Sequence, residues 1–197
     1  MSRNATTAEG WDEEYEAGRW AFLRALPESG RYGILGMWLK LTGTLSEVLD
    51  IGCGEGLLYE RLAPLGLKRY VGMDIAPAAL EIANVDPAVA ALVAGDMHSF
   101  EPRPGERFSA VVFNEVLHFS DDPVALVERY VPFLSKDGVI AISMYSPARP
   151  DSGANRLIDR LWAATGDPAR WQVLDDCRLV SDKKGVTWRL RLLKPVA

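Results

Sequence analysis

EVLDIGCGEG, Glu47 to Gly56, is the stretch that decides the fold. Val48, Leu49 and Ile51 form a short apolar run that ends in glycines at alternate positions, Gly52, Gly54 and Gly56. Leu57 to Leu65 follows with apolar residues at helical spacing. The pattern predicts a buried strand turning sharply into a helix through a loop stripped of side chains. Glycines serve where the backbone takes a positive φ or where a ligand approaches the main chain closely. A tight strand–helix turn with no ligand would use the same glycines, so the neighbouring segments must separate the two readings.

Tyr70 to Asp74, YVGMD, reads as a second apolar strand closed by an acidic residue. A carboxylate at the end of the adjacent parallel strand, roughly twenty residues after the glycine turn, can accept hydrogen bonds from both hydroxyls of a ribose. Dinucleotide-binding domains use that geometry too, but their fingerprint is G-x-G-x-x-G. Here the spacing is G-x-G-x-G, Leu57 stands where the third glycine belongs, and Glu55 puts a negative charge where a pyrophosphate would lie. A cofactor with a cationic centre and no phosphates fits better. The stretch resembles motif I of the class I S-adenosylmethionine-dependent methyltransferases.

The resemblance extends over residues 45–195. It implies an α/β fold: a doubly wound, mostly parallel seven-stranded sheet with a C-terminal antiparallel hairpin. It also implies S-adenosyl-L-methionine as cofactor, with Asp74 on the ribose at a strand end whose loss the fold should survive. In AGDMHSF, Ala94 to Phe100, Asp96 matches the acidic residue that contacts the adenine amino group, with Met97 beside the ring. FSAVVFNEVLHF, Phe108 to Phe119, puts Asn114 and Glu115 at the tip of strand four, close to the reactive methyl. Lys136-Asp137-Gly138 matches the turn into strand five, VIAISMY. The cofactor-binding set carried over is thus Asp50, Gly52, Cys53, Gly54, Asp74, Ile75, Asp96, Met97 and Asn114, with Arg31 as partner for the carboxylate of the methionine moiety.

Strands are expected near 47–51, 68–73, 90–94, 108–114 and 138–145, and helices near 55–65, 77–84, 122–135 and 153–165. Asp121-Asp122-Pro123 reads as a capped helix start with proline in the first turn. Capping accounts for both carboxylates, so no metal site is expected. Trp171 to Val180 and Thr187 to Leu193 read as a hairpin turning at Lys184-Gly185. With 197 residues and 48% hydrophobic content the chain can bury a full core. Two units are expected, an N-terminal leader or lid over residues 1–44 and the cofactor-binding domain over residues 45–197. A net charge of −5 without a basic cluster argues against a nucleic-acid partner. The polar N-terminus and the lack of a long apolar run argue against secretion or a membrane span. Cys53 and Cys177 fit free thiols in a reducing cytoplasm.

The leader carries WDEEYEAGRWAFLRAL and then RYGILGMWLKL. Its large aromatics Trp11, Tyr15 and Trp20 suit either core packing on the sheet or a lid whose faces attract a cation and whose closure excludes water. Tyr15, Trp20 and Tyr145 are the candidate lid and acceptor contacts. The leader is similar to that of small bacterial methyltransferases associated with secondary-metabolite or saccharide biosynthesis, which implies a small-molecule acceptor. Methyl transfer from a sulfonium rests mainly on alignment. Where the acceptor carries a proton, His118 is the first candidate base and Glu115 the second, with His98 a weaker one. Two other readings keep the fold: an enzyme using the cofactor without methyl transfer, as in a cyclisation, and a non-catalytic nucleoside-binding subunit.

Overall fold

The computed structural model describes residues 7–196. Seven strands form one sheet: β1 (Glu47–Ile51), β2 (Arg69–Asp74), β3 (Ala90–Ala94), β4 (Phe108–Asn114), β5 (Leu134–Ser146), β6 (Trp171–Ser181) and β7 (Val186–Pro195). Their order is β3-β2-β1-β4-β5-β7-β6. The first five run parallel, while β7 is antiparallel to both β5 and β6. The expected fold class and C-terminal hairpin are therefore present. Chain order reverses between β1 and β4, which opens a crevice at the carboxyl ends of these strands.

Six α-helices accompany the sheet: α1 (Ala8–Glu16), α2 (Ser29–Leu41), α3 (Leu57–Leu62), α4 (Pro77–Glu81), α5 (Pro123–Tyr130) and α6 (Gly153–Ala164). Both faces of the sheet are covered at its centre, which is why β1, β2, β4 and the second half of β5 read as nearly continuous apolar runs. On one face Leu35 and Leu39 of α2 and Leu58 and Leu62 of α3 pack with Val48, Tyr70, Val112 and Leu190. On the other, Leu126 and Val127 of α5 and Ile158 and Leu161 of α6 pack with Leu49, Ile51, Val111 and Ile140. Among the described residues, no helix is long and apolar enough to cross a membrane.

Two local details differ from expectation. The helix expected to reach residue 135 ends at Tyr130, and a 3-10 turn over Val131–Phe133, containing Pro132, replaces its last turn. The turn at Lys136-Asp137-Gly138 lies inside β5. Phe108 pairs with Leu134 and Ala110 with Val139, so the extra residues of β5 bulge out of the ladder. The Asp122 side chain accepts from Ala125 N at 3.1 Å and caps α5, as its sequence implies.

The leader divides at Ser29. Its second half, α2, belongs to the core: Leu35 and Leu39 are fully buried, and Trp38 Nε1 donates to Asp175 Oδ2 of β6 at 2.7 Å. Its first half runs from α1 through a 3-10 turn, Ala21–Arg24, and carries mostly exposed residues. Leu39→Ala should therefore lose about 2–5 kcal/mol of stability, the range for a large-to-small change in a close-packed core. Leu26→Ala, at a side chain 85% exposed, should change stability by less than about 0.5 kcal/mol. Denaturant titration of the two variants checks the contrast, and equal losses would contradict it.

Candidate active site

The site begins with backbone geometry. Gly52, Gly54 and Gly56 all take left-handed φ values, 71°, 53° and 74°. This turns the chain so that Gly52 N and Cys53 N donate to Met73 O of β2, at 2.8 and 2.9 Å. Gly54 N then donates to Asp74 Oδ2 at 2.7 Å. A Cβ at Gly54 would stand 2.6 Å from the Tyr15 hydroxyl oxygen, and one at Gly52 would stand 2.4 Å from Val116 Cγ2. At both positions glycine is required twice over, by conformation and by space.

Asp74 does more than end a strand. Its Oδ1 accepts from Ala76 N at 3.0 Å, which fixes the turn into α4. Burial raises its pKa, and the amides of Ala76, Gly54 and Ile75 pull it back down. Farther along, Ala78 N of α4 donates to Asp12 Oδ1 of α1 at 2.8 Å, so the leader is moored beside the end of β2. Two bonds, from Gly54 N and Ala76 N, make Asp74 part of the fold as well as of the site, against the expectation that it only ends a strand.

The carboxyl ends of β1, β2 and β4, the loop after β3, and the leader enclose a cavity of about 560 Å3. Its floor holds Asp50, Gly52, Cys53, Gly54, Asp74 and Ile75; Asp96 and Met97 line one side, with Asn114, Glu115 and His118 on another. Trp11, Tyr15, Trp20 and Leu23 of the leader cover it. Trp11 stacks edge-on against Phe119 with centroids 4.8 Å apart, and lies 5.6 Å from Trp20, which in turn lies 6.4 Å from Tyr15. Burial, with Asp74 and Cys53 next in effect, pushes the Tyr15 phenol well above its ordinary pKa, so it stays protonated.

Several polar atoms that line this space are buried without a partner. Asp50 is 2% exposed; its Oδ2 accepts from Tyr70 Oη at 2.6 Å, while its Oδ1 has no partner. Desolvation raises its pKa to about 7. Asn114 Oδ1, Arg31 Nε and His118 Nε2 are likewise unpartnered. Arg31 is only 1% exposed and forms an ion pair with Glu28, which also pairs with Lys184. Arg31 Nη2 donates to Tyr32 Oη at 3.1 Å, and its Nε lies 4.0 Å from Glu115 Oε1. Glu115 sits at φ 66°, a left-handed conformation rare outside glycine. Its carboxylate is held by Ser143 Oγ at 2.8 Å and Tyr145 N at 2.7 Å. Burial raises its pKa, with Arg31 the largest opposing influence. Burial also lowers the pKa of His118.

Of the residues expected from sequence, Tyr145 alone is not brought to the cavity. Its side chain is 39% exposed and its contribution is the backbone N–H that orients Glu115. Arg31 is buried at the cavity wall. Glu55 is neutralised by Arg24, whose Nη2 donates to Oε2 at 2.7 Å and Nε at 3.0 Å. Its charge is thus a weaker argument against a pyrophosphate than the glycine spacing. Trp11 and Tyr32 line the cavity without having been singled out as site residues. The spacing of Trp11 and Tyr15, four apart on one helix, was the available signal for a shared face.

Two substitutions test this arrangement. Asp74→Asn places an NH2 group against the Gly54 or Ala76 amide, and should cost about 1–3 kcal/mol of stability for a buried donor left unpaired. Gly54→Val forces a branched side chain into a left-handed φ and against Tyr15, so the folded fraction should show no thermal shift with S-adenosylmethionine. An unchanged melting temperature for the first variant, or normal stabilisation of the second by ligand, would contradict the geometry.

Residues 49–142 match the family model described as a methyltransferase domain. A trans-aconitate 2-methyltransferase of Paracidovorax citrulli is 33% identical over 153 residues, covering 77% of this chain and 57% of that protein. A ubiquinone biosynthesis O-methyltransferase of Xanthomonas campestris pv. campestris is 31% identical over 102 residues, 50% of this chain and 42% of that protein. The chain spans about half the length of these curated relatives. Among solved structures, the 1,6-didemethyltoxoflavin-N1-methyltransferase of Burkholderia thailandensis superposes with a TM-score of 0.74 at 20% identity, covering 100% of this chain and 92% of that one. That enzyme was crystallised with 1,6-didemethyltoxoflavin and S-adenosylhomocysteine; at this identity the likeness speaks for the fold alone. Motif, topology and family match converge: residues 49–142 are a methyltransferase domain set in the class I fold.

Proposed function

We propose that the protein transfers the methyl group of S-adenosylmethionine to a small-molecule acceptor held under the leader. The observation that carries this reading is Asp50 Oδ1, a buried carboxylate oxygen at the cavity floor with no partner in the protein. Such an atom calls for a cationic donor, and the ammonium of the methionine moiety is one. Beside it, the left-handed glycines leave main chain open to close approach. Asp74 retains lone pairs toward the cavity for the ribose hydroxyls. Asp96 and Met97 serve the adenine amino group and ring face, Ile75 serves the opposite side of the nucleoside, and Asn114 Oδ1 joins Asp50 near the ammonium. Arg31 offers its free Nε to the methionine carboxylate.

The cofactor supplies an electrophilic methyl on a positively charged sulfur. This chain's residues supply alignment, exclusion of water and a place for the acceptor's proton. Tyr15, Trp11 and Trp20 close the roof, which excludes water and strengthens the field of the charges inside. We assign residues 7–28 as the lid and α2 with the sheet as its rigid base. His118, neutral because burial lowers its pKa, can accept a proton through Nε2; Glu115 can do so from its fixed place at the tip of β4. The setting we infer is the cytoplasm, in secondary-metabolite or saccharide biosynthesis, from the free thiols Cys53 and Cys177 and the leader's resemblance.

Calorimetry tests the cofactor assignment. The Asp50 carboxyl is pushed up to about 7, so it is ionised above that pH and protonated below it in the ligand-free protein. A cationic ligand needs the ionised form. Affinity for S-adenosylmethionine should fall by about 10-fold between pH 8 and pH 6, and Asp50→Asn should bind weakly with little pH dependence. Equal affinity for wild type and variant, or tight binding of NAD by the wild type, would sink the reading.

The base has its own signature. With the His118 pKa below 6.5, the neutral, proton-accepting form persists into mild acid. Turnover should rise with pH through a midpoint below 6.5 and stay level above it. His118→Ala should lose about 100-fold in turnover with cofactor affinity retained. Superimposable pH–rate profiles for the two proteins would remove His118 from proton transfer.

A further inference from the structure

The charges around the cavity are unbalanced in a way the cofactor does not absorb. Among the described residues lining it, Arg31 is the only lysine or arginine, whereas Asp50, Asp74, Asp96, Glu115 and Asp121 are all acidic. Glu55 is already matched by Arg24. Arg31 is in an ion pair with Glu28 and lies 4.0 Å from Glu115, so its field is answered from within the protein. Under the cofactor assignment above, Asp50, Asp74 and Asp96 face the ammonium, ribose and adenine, and the free Nε of Arg31 faces the methionine carboxylate. Glu115, shared with Arg31 at 4.0 Å, and Asp121 are then the acids beside the acceptor's space, and among the described residues no lysine or arginine other than Arg31 lines it.

The roof reinforces that sign. Trp11, Trp20 and Phe119 present aromatic faces, which attract positive charge and bury apolar bodies. Glu115 is fixed rather than adaptable: Ser143 Oγ and Tyr145 N hold one oxygen each, and the left-handed backbone sets the direction of the side chain. Glu115 lines the cavity, and its carboxylate keeps acceptor capacity beyond those two bonds. A carboxylate on the acceptor would meet Glu115 in a low-dielectric space, and like charges juxtaposed there cost several kcal/mol.

We infer that the acceptor is an amine on an apolar body, oriented by Glu115, and that carboxylate acceptors are excluded from this site. The inference rests on the methyltransferase reading. In the step it implies, the amine lone pair forms the new N–C bond while the C–S bond breaks with its electron pair left on sulfur. The bound ammonium first gives a proton to His118, Glu115 or solvent, which frees that lone pair, and the methylated product leaves as an ammonium. The trans-aconitate 2-methyltransferase relative, at 33% identity, thus shares the frame and not the acceptor charge.

The test uses a pair of probes matched in size and opposite in charge, tryptamine and indole-3-acetate, titrated calorimetrically into the full chain saturated with S-adenosylhomocysteine. Tryptamine should bind at least about 10-fold more tightly than the acid, the factor expected from one charge-complementary contact. Glu115→Gln should narrow the gap, and Asp121→Asn, at an exposed loop position, should narrow it less. Equal or tighter binding of the acid, binding of neither probe, or a gap unchanged in both variants would overturn the inference. Failure of S-adenosylhomocysteine itself to bind would instead mark the failure of the methyltransferase reading.

Discussion

The hydrogen bond from Gly54 N to Asp74 Oδ2, 2.7 Å long, is the contact on which the site depends. It joins the turn after β1 to the end of β2, and it exists because a left-handed glycine aims its N–H sideways instead of along the strand. From there a closed circuit follows. Asp74 fixes Ala76 at the entrance to α4, Ala78 of α4 holds Asp12 of α1, and α1 brings Tyr15 back over Gly54. Glycine turn, Asp74 and leader are thus parts of one structure. Perturbation at any link should be felt at the others, which is why Asp74 cannot be treated as a purely binding residue.

The cavity holds several acids that are destabilised as ions. Burial raises the pKa values of Asp50, Asp74 and Glu115. Sign matters here. An acid whose folded pKa lies above its unfolded value favours the folded state at low pH and loses that advantage as pH rises through the folded pKa. For Asp50 the window runs from 3.8 to about 7, so at neutral pH its ionised carboxylate works against the fold. A cationic ligand offsets this by supplying the missing counter-charge. Lys184, Glu28, Arg31 and Glu115 form a second electrostatic unit of alternating sign, running from the β6–β7 turn to the tip of β4. It lets a fully buried arginine reach the cavity wall without an unmatched charge.

Much of this was legible in the sequence, for identifiable reasons. The alternate glycines, Asp74 at the end of β2 and Asp96 just after β3 are local signals, because backbone conformation and strand termination leave their mark within a few residues. The parallel sheet was legible because both of its faces are covered, and the hairpin because Lys184-Gly185 marks the turn. What was not legible depends on contacts distant in sequence. The leader carries aromatics that suit a core and a roof alike, and only tertiary packing assigns α2 to the first and α1 to the second. Tyr145 alternates correctly along β5, yet its side chain ends in solvent and its amide serves Glu115. The pairing of Arg24 with Glu55, 31 residues apart, changes the meaning of a charge that the sequence shows as unpaired. The KDG turn became a bulge because β4 pairs with β5 on both sides of it.

The most direct measurement is a crystal structure of the protein with S-adenosylhomocysteine. The account predicts the ligand's ammonium within hydrogen-bond distance of Asp50 Oδ1, its ribose hydroxyls on Asp74, and Tyr15 and Trp20 ordered above it. Ligand density elsewhere, or a bound nucleoside that leaves Asp50 Oδ1 and Asp74 untouched, would contradict it.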